Sequence, residues 1–103
     1  MDLIQGVDSL NVELIELKPL SQVIIVHLYD KEPMQYTEIA EQLNLKPRQV
    51  LGAINKSLIR WGLAQRRSKL TKVLKKEYSL ISITPKGKKY VEHLARILIK
   101  ETV

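Results

Sequence analysis

YTEIAEQLNLKPRQVLGAINKSLIRWGLAQRR, residues 36–67, decides the fold. It reads as a short helix, a tight turn and a second helix that runs into a strand. Thr37 is placed to N-cap the first helix, Glu38 and Glu41 suit its positive end, and Ile39, Ala40 and Leu43 form its inward face. Asn44 interrupts that pattern. Pro47 fits the first turn of the next helix, and Gly62 ends it. At about 100° per residue, Val50, Ile54, Ser57, Leu58 and Trp61 share the inward side, while Arg48, Gln49, Gly52, Asn55, Lys56 and Ile59 fall on the outward side.

Together with ISITPKGKKYVEHL at residues 81–94, this stretch resembles the winged helix-turn-helix of DNA-binding transcription regulators, broadly of the MarR and PadR type. The likeness implies a mainly α fold with a small β-hairpin wing (α+β), in which a three-helix core carries terminal helices that pair two copies. In proteins of this kind the second helix of the motif enters the major groove, and a basic hairpin touches the minor groove or the phosphates. The pattern identifies a module and no operator. The same scaffold also serves as a protein–protein interaction module of replication or transcription assemblies, which is the alternative reading.

The distribution of charge says more than its net value of +6. Residues 1–45 carry eight acidic side chains against Lys18 and Lys31, a net of −6, whereas residues 46–103 carry fifteen Lys and Arg against Glu77, Glu92 and Glu101, a net of +12. From Arg60 to Lys76 there are seven cations and no acid. Such a stripe repels itself unless a polyanion meets it, and its place beside the second helix of the motif favours nucleic acid over a merely solvated loop.

A chain of 103 residues closes one small core and leaves much of itself at the surface, so oligomerisation would help it. We read a single domain, with residues 1–18 as an N-terminal dimerisation segment, 19–84 as the winged-helix core and 85–103 as a C-terminal helix. There are no cysteines, which removes disulfides and thiolate zinc sites and suits a reducing compartment. His27 and His93 lack metal-ligand spacing, and no metal or other cofactor is expected. The start, MDLIQ, has no cationic lead into an apolar stretch, and the run Val23–Val26 is far below membrane-spanning length. A soluble, cytoplasmic, nucleoid-associated protein is expected. It is not read as an enzyme, because no paired carboxylates, nucleophile–base constellation or phosphate-cradling glycine loop is visible.

Near the start, Leu3, Val7, Leu10, Leu14 and Leu17 repeat at alternating four- and three-residue intervals, as the inward seam of a paired helix does. Leu10, Val12 and Leu14 also fit strand alternation, so both forms stay open. Beyond Pro19, residues Leu20 to Tyr29 predict a helix that is apolar nearly all round and must be covered on more than one face. His27 lies within its apolar stripe and reads as a core imidazole. Asp30 to Pro33 reads as a turn.

Lys46 and Arg48 crowd the positive end of the second motif helix, with no Ser, Thr, Asp or Asn cap. Each such charge costs about 0.3–1 kcal/mol and a missing cap about 1 kcal/mol, so the arrangement makes more sense if a phosphate oxygen binds there. Relatives of this type usually carry Ser or Thr near that position, and Lys46 departs from that pattern. Arg48 suits guanine, Gln49 and Asn55 suit adenine edges, and Lys56 suits a phosphate. Gly52 implies a close approach, either of DNA or of a neighbouring helix, and Ile59 either meets a thymine methyl or packs under the wing.

Leu63 to Ser68 and Glu77 to Thr84 predict the two wing strands. No Gly, Pro, Asn or Asp lies between Leu63 and Thr84 to mark the tip, so a hairpin, a basic amphipathic turn and a mobile segment all remain open for residues 69–76. The wing adds Arg66, Arg67, Lys69, Lys72, Lys75 and Lys76 to the expected DNA contacts. Thr84 and Pro85 predict the start of a helix running to about Lys100. Its apolar residues cover more than one intramolecular contact can hold, so Val91, Leu94 and Leu98, with Leu3, Val7, Leu10, Leu14 and Leu17, are expected at a homodimer interface. Tyr90 reads as core. A homodimeric, sequence-specific binder of double-stranded DNA that represses transcription follows from these features. They leave a small-molecule effector open.

Overall fold

A computed structural model describes the backbone of residues 15–70 and 77–102, and the side chains of residues 15–68 and 79–97. Helix α1 (Pro19–Leu28) opens with proline at its first position, where no backbone N–H is needed. Asp30, with φ 59°, then turns the chain. Helix α2 (Tyr36–Leu43) starts one residue before Thr37, so Thr37 is not its cap. The cause is Met34, whose N–H and C=O both pair with Ile81, at 3.0 and 2.7 Å, and hold residue 34 extended against the wing. Gln35 follows as N-cap, and its carbonyl accepts from the Glu38 and Ile39 N–H groups at 3.0 and 3.1 Å.

Asn44 closes α2 in the left-handed conformation, φ 56° and ψ 47°. Leu45 N–H reaches back to the Ala40 carbonyl at 2.8 Å, which satisfies a helix-end acceptor. Helix α3 (Pro47–Ala53) follows directly and passes into a π-helical turn, Ile54–Leu58. There Ile59 N–H donates to the Ile54 carbonyl, five residues back, at 2.8 Å. One extra residue in a turn sets back every later side chain by about 100°. Val50, Ile54 and Leu58 remain fully buried, but the inward place expected for Trp61 is not occupied by it: the indole is 45% exposed. Ile59, expected on the outward side, packs against the core.

Gly62, at φ 73°, releases the chain into β1 (Ala64–Leu70), which pairs antiparallel with β2 (Glu77–Ile83). Both strands match the expected hairpin wing within two residues at each end. Opposed residues share a face, so Ala64 with Ile83 and Arg66 with Ile81 lie on one side, and Gln65 with Ser82 and Arg67 with Leu80 on the other. Ala64 and Ile81 are buried, which makes theirs the side turned to the helices.

Helix α4 (Pro85–Thr102) starts as the Thr84–Pro85 pair predicts. The Thr84 hydroxyl accepts from Gly87 N–H at 3.0 Å and donates to the Gly62 carbonyl at 2.6 Å. Tyr90 is buried, as expected, and burial raises the pKa of its hydroxyl while contacts to Gln22 and the Leu17 backbone lower it. At the far end of α1 the Glu92 carboxylate raises the pKa of Tyr29, helped by partial desolvation and Asp30.

Two expectations about the periphery need correction. Residues 15–18 are in no helix, with Ile15 and Leu17 buried and Glu16 and Lys18 exposed, so no helix continues to Leu17. Leu17 is 8% exposed and belongs to the subunit's own core, where it is unavailable to a second copy. His27 is only partly buried, because it stands at the edge of α1 facing α2, where its Nε2 donates to Gln42 Oε1 at 2.6 Å.

The first turn of α4 is fitted to the chain that leaves the π-helical turn after α3, with no space to spare. A Cβ on Gly87 would stand 2.1 Å from the Leu63 carbonyl oxygen and 2.7 Å from Ile83 Cγ1. Replacing Gly87 by Ala is therefore expected to cost at least about 1–3 kcal/mol of unfolding free energy. Urea denaturation measures it, and an unchanged midpoint contradicts this packing.

Candidate nucleic-acid interface

The core fixes α3 by its inner residues Val50 and Ile54, and this leaves the opposite side open. Lys46, Arg48, Gln49, Asn55 and Lys56 are all exposed. Lys46 occupies the N-cap position with no side-chain hydrogen bond to the helix. Gly52 sits among these residues, and a Cβ built on it meets nothing within 4 Å. Contact with a neighbouring helix is thus not the reason for glycine here.

Four of the six expected helix residues, Arg48, Gln49, Gly52 and Lys56, line one groove, and the fold adds a cation that the linear pattern did not reveal. Lys18, ahead of α1, lines a groove of about 270 Å³ with Arg48, Gln49, Gly52 and Lys56. No local motif marks Lys18; only the packing of α1 against α3 brings it there. A second hollow, of about 370 Å³, is bounded by Lys56, Arg60 and the outward-turned Trp61.

From the wing, Arg66 and Arg67 are both exposed, but the strand register puts them on opposite sides of the ribbon. Arg66 faces the helices and its Nη2 donates to Asn55 Oδ1. The side chain of Lys69, and Lys72, Lys75 and Lys76 entirely, lie outside the described residues. So do Leu3, Val7, Leu10 and Leu14, and the side chain of Leu98. Val91 and Leu94 are partly buried and line an apolar groove of about 680 Å³ between α1 and α4, together with Val23, Val26 and Ile97.

The family model described as EarA-like matches residues 19–94. The chain belongs to the EarA-like family. Among solved structures, S. aureus MepR in a complex with DNA is similar to this EarA-like chain with a TM-score of 0.73 and 19% identity, over 98% of this chain and 79% of MepR. A MepR variant from a multidrug-resistant S. aureus clinical isolate gives 0.74 and 18%, over 96% and 70%. A Lactococcus lactis ZitR variant gives 0.65 and 22%, over 86% of the EarA-like chain and 57% of ZitR, so the chain spans little more than half of that protein. These likenesses establish the winged-helix fold that the MarR-type resemblance implies. No curated protein matches the sequence significantly. Among the described residues no helix is long and apolar enough to cross a membrane.

A half-buried helix-interior glycine with open space beside its Cα costs stability for no internal gain. Replacing Gly52 by Ala in the EarA-like chain is expected to raise stability by about 0.5–1 kcal/mol, read from the urea midpoint. A loss of stability would mean that the space around Gly52 is occupied in the folded protein.

Proposed function

We propose that the chain is a homodimeric, sequence-specific binder of double-stranded DNA that regulates transcription, with repression by occlusion as its mechanism. The observation that carries this reading is the outward face of α3, where Lys46, Arg48, Gln49, Asn55 and Lys56 stand exposed around a glycine that has no packing role. α3 lies in the major groove. Arg48 bonds a guanine edge, Gln49 an adenine edge, and Lys46, Lys56 and Lys18 hold phosphates on either side. Arg67 and the basic wing reach the flanking backbone. The DNA complex of the structurally similar MepR supports this use of the scaffold.

Two copies are needed to read two half-sites, with recognition helices about 34 Å apart. The apolar groove between α1 and α4 supports such pairing: Val23 and Val26 are each 49% exposed and Ile97 is 38% exposed, a cost that burial against a second copy removes. Lys46, Arg48 and Lys56 are far better suited to phosphate and base edges than to an apolar partner, which favours DNA over the protein-interaction reading.

Two measurements test this. In fluorescence anisotropy with a duplex, the logarithm of the binding constant should fall with the logarithm of salt by about 0.9 per phosphate neutralised, and a flat response contradicts the proposal. In the same assay Gly52→Ala should bind several-fold more weakly in spite of its added stability, because its methyl group stands where the DNA approaches. Sedimentation equilibrium should give twice the chain mass for the native protein and a single-chain mass for Val26→Glu; a native monomer rules out the dimer.

A further inference from the structure

The outward face of α3 and the wing meet at one hydrogen bond, from Arg66 Nη2 to Asn55 Oδ1. It follows from the sheet register. Arg66 opposes Ile81, Ile81 is fully buried, and opposed residues share a face, so the Arg66 side chain leaves β1 on the side of the helices. There the π-helical turn Ile54–Leu58 presents Asn55.

Arginine only donates hydrogen bonds. The atom it meets on Asn55 must be the carboxamide oxygen, and this fixes which way the carboxamide faces. The oxygen is turned to the wing, and the two N–H donors of Nδ2 are left on the side away from the guanidinium. Asn55 is exposed, so those donors are open to a ligand.

This orientation changes which base the residue can read. Bidentate recognition of adenine takes both ends of the carboxamide, the oxygen accepting from the N6 amino group and the nitrogen donating to N7. Here Arg66 takes one of the oxygen's two lone pairs, and an amino group brought to the other would stand beside the guanidinium N–H groups, donor against donor. Guanine presents O6 and N7 side by side, and both accept. Two donors match two acceptors there, with no amino group brought up to the cation.

We propose that Arg66 is a positioning residue which sets the base read by Asn55, directing it to guanine instead of the adenine that an unconstrained asparagine selects. This rests on the DNA-binding reading above. Arg66 then acts through Asn55 and not by its own contact with a base edge.

Selection of bound sites from random double-stranded DNA tests the inference, using the native chain and the variants Asn55→Ala, Arg66→Met and Arg66→Lys. All three substitutions are at exposed positions, and a thermal midpoint checks that each variant folds. Asn55→Ala identifies the base pair concerned, as the one in each half-site whose preference disappears. In the native motif that pair is expected to be G·C. Arg66→Met keeps the aliphatic stem and removes the donor, and is expected to shift that pair toward A·T by about tenfold, leaving the rest of the motif unchanged. Arg66→Lys still only donates and should keep G·C. An A·T pair in the native motif, an unchanged preference in Arg66→Met, or no position erased by Asn55→Ala overturns the inference and leaves DNA binding standing. Failure of the native chain to select any motif overturns sequence-specific binding itself, and the inference with it.

Discussion

The Leu63 carbonyl is where the helices and the wing of this molecule are joined. It accepts the Thr84 N–H at 3.0 Å, and the backbone of Gly87 lies against it closely enough that any side chain there would collide. One residue earlier, the Gly62 carbonyl accepts the Thr84 hydroxyl, which in turn accepts Gly87 N–H. Within these few contacts the end of the π-helical segment that continues α3, the entry to β1, the exit from β2 and the start of α4 are held together. Each partner is specified by residue type: glycine at 62 for positive φ, threonine at 84 for a hydroxyl that both donates and accepts, and glycine at 87 for the absence of a Cβ.

What this junction controls is register. Because β2 is fixed at both Thr84 and the Met34–Ile81 bridge, the pairing with β1 cannot slip by a residue without moving Ile81 out of the core. The same register determines that Arg66 points to the π-helical turn after α3 and Arg67 away from it. A buried isoleucine therefore decides the direction of an exposed arginine, and through it the orientation of Asn55. Core packing and the chemistry of the surface are linked here by the period-two alternation of a strand.

Much of this was legible in the sequence, because it rests on residues whose physical role is local. Asn44, Pro47, Gly62 and the Thr84–Pro85 pair each do in the structure what their backbone preferences predict. The exposed positions of α3 also follow from its period up to Asn55. The prediction fails beyond that point for Trp61, which is turned outward because no residue type announces a π-helical turn, while Ile59 takes the packed one of the two places open to it. Other misses have non-local causes. The start of α2 is set by a bridge from Met34 to a strand far along the chain, Lys18 joins the cationic groove through the packing of two helices, and His27 finds its partner in Gln42. Leu17 fits a heptad on paper, but Tyr90 and the core claim it. The hydrogen bond from Arg66 to Asn55 is equally non-local, because the guanidinium comes from the wing.

In the proposed function, the outward side of α3 and the groove beside Lys18 meet a DNA duplex. Titrating the isotopically labelled chain with duplex DNA and following its amide resonances tests this contact residue by residue. The largest shifts are expected to cluster at Lys18, Arg48, Gln49, Gly52, Asn55 and Arg66. Shifts confined to the Val23, Val26 and Ile97 face, with the α3 resonances unmoved at saturation, would contradict it.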